Sequence, residues 1–187
     1  MDFLLRISRA IDAATTAVGR SVAWLILVVS VVAVAHAVLS KLLGAGASSN
    51  AWVETQWLMF SAVFLLAAPW TLSSNEHIRI DIVNQRLSRR ARDWIDIAGT
   101  VLFLMPVAFV LLWTSLPFAL TSLAQREGSS NAGGLPQWPL KMLIPLAFAL
   151  LLVQAVSELI KKVASLRGIP APDVSATDVR SKSPHDI

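Results

Sequence analysis

The chain has 187 residues, 55% of them hydrophobic, with a mean hydropathy of +0.63 and a formal net charge of +4. Cysteine is absent, which excludes disulfides, thiolate chemistry and Cys-based metal sites and leaves the redox compartment undetermined. A pI near 10.1 at this hydropathy fits Lys and Arg meeting anionic lipid, not nucleic acid.

Residues 1–20 read as an amphipathic N-terminal segment on the cytoplasmic side, with Phe3, Leu4, Ile7 and Ile11 at helical spacing and Arg6 and Arg9 on the other side. The first apolar run, Ser21 to Ser40, contains no Lys, Arg, Asp or Glu. Its length of about twenty residues exceeds a usual signal-peptide h-region, so it is expected to be retained although Ala35, His36 and Ala37 resemble a small-residue cleavage site. Ala33, Ala35 and Ala37 either permit close helix approach or simply reflect the abundance of Ala in membrane helices. The second run, Thr55 to Asn75, is also uncharged, and a small, polar stretch at Gly44 to Asn50 suits the turn before it.

The stretch from Glu76 to Asp96 is the most patterned polar part of the chain. Ile78, Ile82, Leu87, Ala91, Trp94 and Ile95 give an apolar face, and Arg86, Arg89, Arg90 and Arg92 occupy much of the rest. This predicts an amphipathic interfacial segment between helices 2 and 3, breaking near Ser88, which is placed to N-cap the third span. The third run, Ile97 to Gln125, carries Pro106 and Pro117; the fourth, Met142 to Ser157, carries Pro145. Between them lies a Gly- and Ser-rich connection in which Pro136 and Pro139 bracket Trp138. The tail, 166–187, is rich in Pro, Ser and Asp without apolar periodicity and is expected to be disordered.

At about 1.5 Å per helical residue, roughly twenty residues cross a hydrocarbon core of roughly 30 Å. The expected fold is therefore all-α, with a four-helix transmembrane domain over 21–165. Lys and Arg number three, one, five, two and five before, between and after the runs. Basic loops stay on the cytoplasmic side, so the expected topology is N-in and C-in. Six of the seven Trp residues fall near predicted span ends; Trp113 does not, and is expected to pack between helices.

Chemistry is sparse. A Walker A loop, a His-Glu-x-x-His zinc motif and a Gly-x-Ser-x-Gly elbow are all missing, so no enzyme is expected. His36 is the one group titrating near neutrality within the runs, and a lone His toward a span end is more often an interfacial hydrogen-bonding group than a proton relay. No transport pathway is expected in this chain. The polar cluster that stands out is His77, Arg79 and Asp81 after the second run: His77 and Asp81 share a face if helical, and all three share one if extended. It suits fixing a turn or gripping a partner subunit, or else is a solvated juxtamembrane turn.

These residues also carry a likeness to a family. The ordered series Glu54 and Gln56, then His77, Arg79 and Asp81, then Glu127 and Ser130, continues with Gly134-Leu135-Pro136, Trp138-Pro139, Lys141, Ile144-Pro145 and Gln154. Over roughly residues 15–165 the chain resembles the small, Q-type membrane subunit of the tripartite ATP-independent periplasmic (TRAP) transporters. The resemblance implies a multi-pass protein of the bacterial inner membrane that pairs with a large multi-span permease and works with a periplasmic substrate-binding protein. It implies a static scaffold role in the uptake of an organic acid, with substrate and sodium sites on the large subunit and no cofactor in this chain. By the same resemblance, His77, Arg79 and Asp81 are candidates for organising the cytoplasmic connection. Glu54, Gln56, Glu127, Ser130, Trp138 and Lys141 are candidates for the opposite interface. The competing expectation is a structural or assembly subunit of another membrane complex with no transport coupling.

Overall fold

The computed structural model describes residues 2–43, 50–74 and 88–167. Five α-helices account for nearly all of them: α1 (Asp2–Leu43), α2 (Asn50–Ser73), α3 (Arg89–Gly99), α4 (Met105–Ala124) and α5 (Trp138–Leu166). Helices α3 and α4 are joined without a break by a π-helical turn, Thr100–Leu104, and form one span. The four resulting rods are each long and apolar enough to cross a membrane.

The spans run past the apolar runs at most of their ends. Helix α1 continues unbroken through residues 2–20, and its 42 residues give a rod of about 63 Å, roughly twice a hydrocarbon core. Its buried stripe is Leu5, Ser8, Asp12, Thr15, Gly19 and Val22, at helical spacing and largely polar or small. The apolar residues Phe3, Leu4 and Ile7 point outward instead. In a bilayer the lipid is as apolar as Leu, so small and polar side chains are the ones that gain by facing another helix.

Helix α5 is the centre of the molecule. One third of its most apolar window is buried, against 6 to 11% for the other spans, and it packs on α1, α2, α3 and α4. Small residues at Ala147, Ala155, Ser157 and Ala164 permit these approaches. Helices α1 and α2 pack extensively on each other, while the third span packs chiefly on α5. Gly19 allows a close α1–α2 approach: a Cβ there would lie 2.5 Å from the Trp70 indole. Trp113 does not pack between helices as its mid-span position suggests. It is 72% exposed and stacks on Phe109 of its own helix, at 6.3 Å between ring centroids.

Ser88 caps α3 as its position predicts, its Oγ accepting from the Ala91 N–H at 3.3 Å. The π turn has a local cause. Pro106 has no N–H and its ring crowds the preceding turn, and the wider turn offsets this, with the Met105 N–H reaching back to the Thr100 carbonyl. The tail from 168 onward and the larger part of the 76–96 segment, residues 76–87, lie outside the described residues.

Candidate functional site

Two polar assemblies tie the helices together, one at each end of the bundle. At the end opposite the start of α1 and the end of α5, the connection between α4 and α5 forms a strap. Helix α4 stops in a Schellman arrangement: Arg126 takes φ 47°, its N–H reaches the Leu123 carbonyl, and the Glu127 N–H reaches the Ser122 carbonyl at 3.0 Å. The Glu127 carbonyl in turn accepts from the Gln137 N–H at 2.9 Å, which closes the strap at its base. A second turn, from Asn131 to Gly134, places Gly133 at φ 71°, a conformation that favours glycine.

Glu54, in the second turn of α2, is the anchor under this strap and is 2% exposed. Its carboxylate accepts from the Ser129 hydroxyl, from Asn131 Nδ2 at 2.9 Å and from the Leu135 N–H at 2.6 Å. Gly134 is required by this closeness, since a Cβ there would lie 2.6 Å from Glu54 Oε2 and against the Ser129 side chain. Asn50 Nδ2 donates to the Ala132 carbonyl at 3.0 Å, so α2 holds the strap at two points. Lys141 on α5 pairs with Glu127 at 2.5 Å and lies 4.5 Å over the Phe118 ring. The Lys141 hydrogen bond holds the Glu127 carboxyl below its ordinary value. Beneath the strap, Leu135, Pro136 and Leu140 meet Leu25, Leu58 and Met59 around an apolar cleft of about 340 Å³.

Of the residues expected at this end, Glu54 joins α2 to the strap, and Glu127 and Lys141 join the strap to α5. Gln56 bonds His36 Nδ1 at 3.2 Å, linking α2 to α1 a turn away, and the His36 ring stacks on Trp52. Trp138 is half-buried as the first residue of α5. Ser130 is exposed, and its neighbour Ser129 makes the bond to Glu54. His77, Arg79 and Asp81 lie outside the described residues.

The second assembly, at the end where α1 begins and α5 ends, has no counterpart among the expected residues. Asp12 of α1 accepts at Oδ1 from Gln154 Nε2 and from the Ser157 hydroxyl, each at 2.8 Å, and at Oδ2 from Lys161 Nζ at 3.1 Å. With the Ser157 proton committed to the carboxylate, the Ser8 hydroxyl donates to Ser157 Oγ at 2.7 Å. Lys161 also pairs with Glu158 one turn back, and Gln154 Nε2 reaches Glu158 Oε1 at 3.2 Å. Two carboxylates thus share one ammonium in a site where Ser8, Gln154 and Ser157 are at most 1% exposed. The next residue, Lys162, faces α3 and pairs with Asp96 at 2.7 Å and Asp93 at 3.6 Å, while Ser165 donates to Asp93 at 2.9 Å. Adjacent lysines on α5 therefore grip α1 and α3 respectively. The sequence signal was there: Ser8, Asp12, Thr15 and Gly19 recur at intervals of three or four, as do Gln154, Ser157 or Glu158, and Lys161.

Among the described residues no group of three or more His, Asp or Glu is placed to hold a metal ion. The chemistry of both assemblies is that of locks: charged and polar groups on different helices satisfy one another. These features define a four-span membrane protein whose polar side chains fix helix positions. The chain's affiliation follows from its sequence match: the family described as "Tripartite ATP-independent periplasmic transporters, DctQ component" matches residues 30–165, and the chain belongs to it. It is thus a multi-pass inner-membrane component of a transporter family. No curated protein and no solved structure matches the chain.

Proposed function

We propose that this chain is the static small subunit of a TRAP-type secondary transporter that imports an organic acid. In this reading the termini and the 76–87 connection face the cytoplasm, and the strap faces the periplasm. A large multi-span permease carries the substrate and sodium sites, and a periplasmic binding protein delivers the cargo. The observation that carries the proposal is the double lock on α5, at Glu127–Lys141 and at Asp12–Lys161. Helices joined at both ends by matched charges suit a fixed frame beside a moving partner. Glu54, Gln56, Glu127, Ser130, Trp138 and Lys141 then present or support the face met by the binding protein. His77, Arg79 and Asp81 organise the cytoplasmic connection.

The test is a mild-detergent pull-down of the tagged chain from its native membrane, with mass spectrometry of what remains bound. A large permease in fixed ratio is the expected result. Recovery of this chain alone, with the permease shown to be expressed, overturns the proposal in favour of an unrelated membrane role. Within a recovered complex, Glu127→Lys should weaken uptake at low binding-protein concentration, and unchanged uptake across the concentration range removes the docking role.

A further inference from the structure

A proline within a span frees a backbone carbonyl, and its position decides what can answer that carbonyl. Pro69 of α2 and Pro145 of α5 are buried inside the bundle, with neighbouring helices at hand. Pro117 of α4 is exposed instead. It has no N–H, so the Trp113 carbonyl one turn earlier loses its helical donor. The nearest hydroxyls do not replace it: Thr114 donates to the Val110 carbonyl at 2.8 Å and Ser115 to that of Leu112 at 3.2 Å. At the same position the Trp113 indole is 72% exposed and stacks on Phe109, and its N–H meets no acceptor among the described residues. Depth makes both groups costly. Trp113 lies about 17 Å along the helix from Ala124 and about 26 Å from Asp96, with no charge between Asp96 and Arg126. In a core of about 30 Å this is near the middle of the membrane, far from the surface layer where indoles ordinarily satisfy their N–H. Acyl chains there offer neither a donor nor an acceptor. Helix α4 packs chiefly on α5, and Pro106, Phe109, Trp113, Pro117 and Leu120 recur at helical spacing as one exposed face.

We propose that this face of α4 is where a transmembrane helix of the large permease docks, an inference that rests on the subunit reading above. At mid-depth the docking helix brings a side chain that both donates and accepts, a hydroxyl or a carboxamide, to meet the Trp113 carbonyl and indole N–H. The occupant is a protein helix and not an acyl chain because only the helix can complete both bonds. A lipid or a second copy of this chain on the same face are the alternatives that the experiment separates.

The test is photocrosslinking in native membranes, with a photoreactive phenylalanine analogue placed singly in the full chain. At Phe109, Trp113 and Leu120 the probe should join this chain to the permease; at Val107 and Leu111, exposed on another flank of α4, it should not. Transfer to lipid alone or to a second copy of this chain from position 113, with the permease still co-purified, overturns the face and leaves the subunit reading standing. So does equal crosslinking from both flanks. Recovery of the chain without the permease overturns both. Two substitutions read the bonds themselves. Trp113→Phe keeps the ring and removes the N–H, and should weaken association with the permease about threefold. Pro117→Ala returns a donor to the Trp113 carbonyl, so the chain alone should melt higher while association falls by about the same factor. Unchanged association in either variant overturns the proposal.

Discussion

Replacing Lys161 by Met removes the one cation that, among the described residues, is held between Asp12 and Glu158. The Lys161, Asp12 and Glu158 side chains are 18, 6 and 8% exposed, so the two carboxylates left behind have little access to water. Breaking a buried pair in this way costs about 3–5 kcal/mol, and the partial exposure of Lys161 puts the expected loss at about 3 kcal/mol. For a chain of this size that corresponds to a fall in Tm of about 6–12 °C. Lys162→Met supplies an internal comparison one residue away. Its nearest partner, Asp96, is 28% exposed, so the loss should be about 1 kcal/mol, or about 2–4 °C. Adding Asp12→Asn to Lys161→Met should recover part of the loss, because it removes the surplus charge while keeping a polar group for Gln154 and Ser157. Size-exclusion recovery after graded heating in one detergent reads all three variants. Equal losses for the two lysines, or no recovery on adding Asp12→Asn, would refute the view that the lock depends on charge matching inside the bundle.

Three further outcomes follow from the geometry. Because the chain has no Cys, Ser8→Cys with Ser157→Cys should form one intramolecular disulfide on mild oxidation, visible as a gel-mobility change reversed by reductant; no crosslink would mean that α1 and α5 do not meet there. Gly19→Ala places a methyl against Trp70 and should destabilise by about 1–3 kcal/mol, read as a lower melting temperature, whereas an unchanged melt would show that α1 and α2 separate at little cost. The Glu127 carboxyl, held below its ordinary value by Lys141, steadies the strap above the unfolded carboxylate range, and this contribution is lost as pH falls through the lowered folded value. Hydrogen exchange across residues 127–137 should therefore stay constant from about pH 8 to 5 after correction for intrinsic rates and rise only below about pH 4. A rise near pH 6 would contradict the assignment.

The number of spans was legible because each apolar run is long enough to cross a bilayer. So was the Ser88 cap, a local signal. The ends of the helices were not, because hydropathy stops at the first charge, whereas Asp12, Glu158 and Lys161 continue their helices and neutralise one another across the interface. Residues 2–20 illustrate the same point. Periodicity revealed an amphipathic helix there, but the face turned inward carries Ser8 and Asp12, while Phe3 and Leu4 face out. In a membrane the apolar face has no reason to seek the protein interior, and the polar one has. At the strap, Glu54, Glu127 and Lys141 stand out as charges at span ends, but the choice of Ser129 over Ser130 depends on loop geometry that spacing does not encode.

The lock between α1 and α5 also has a bearing on how the protein is made. Asp12 and Lys161 are separated by 149 positions, and at about 5–20 residues per second the ribosome takes roughly 7–30 s to cover that distance. Throughout that interval α1 carries its polar stripe without the α5 side chains that answer it. Of the four described spans the central one is synthesised last, so the three before it wait in the membrane as an open frame until α5 joins them. A chain cut short before Gln154 keeps that stripe unanswered however well its other spans have inserted.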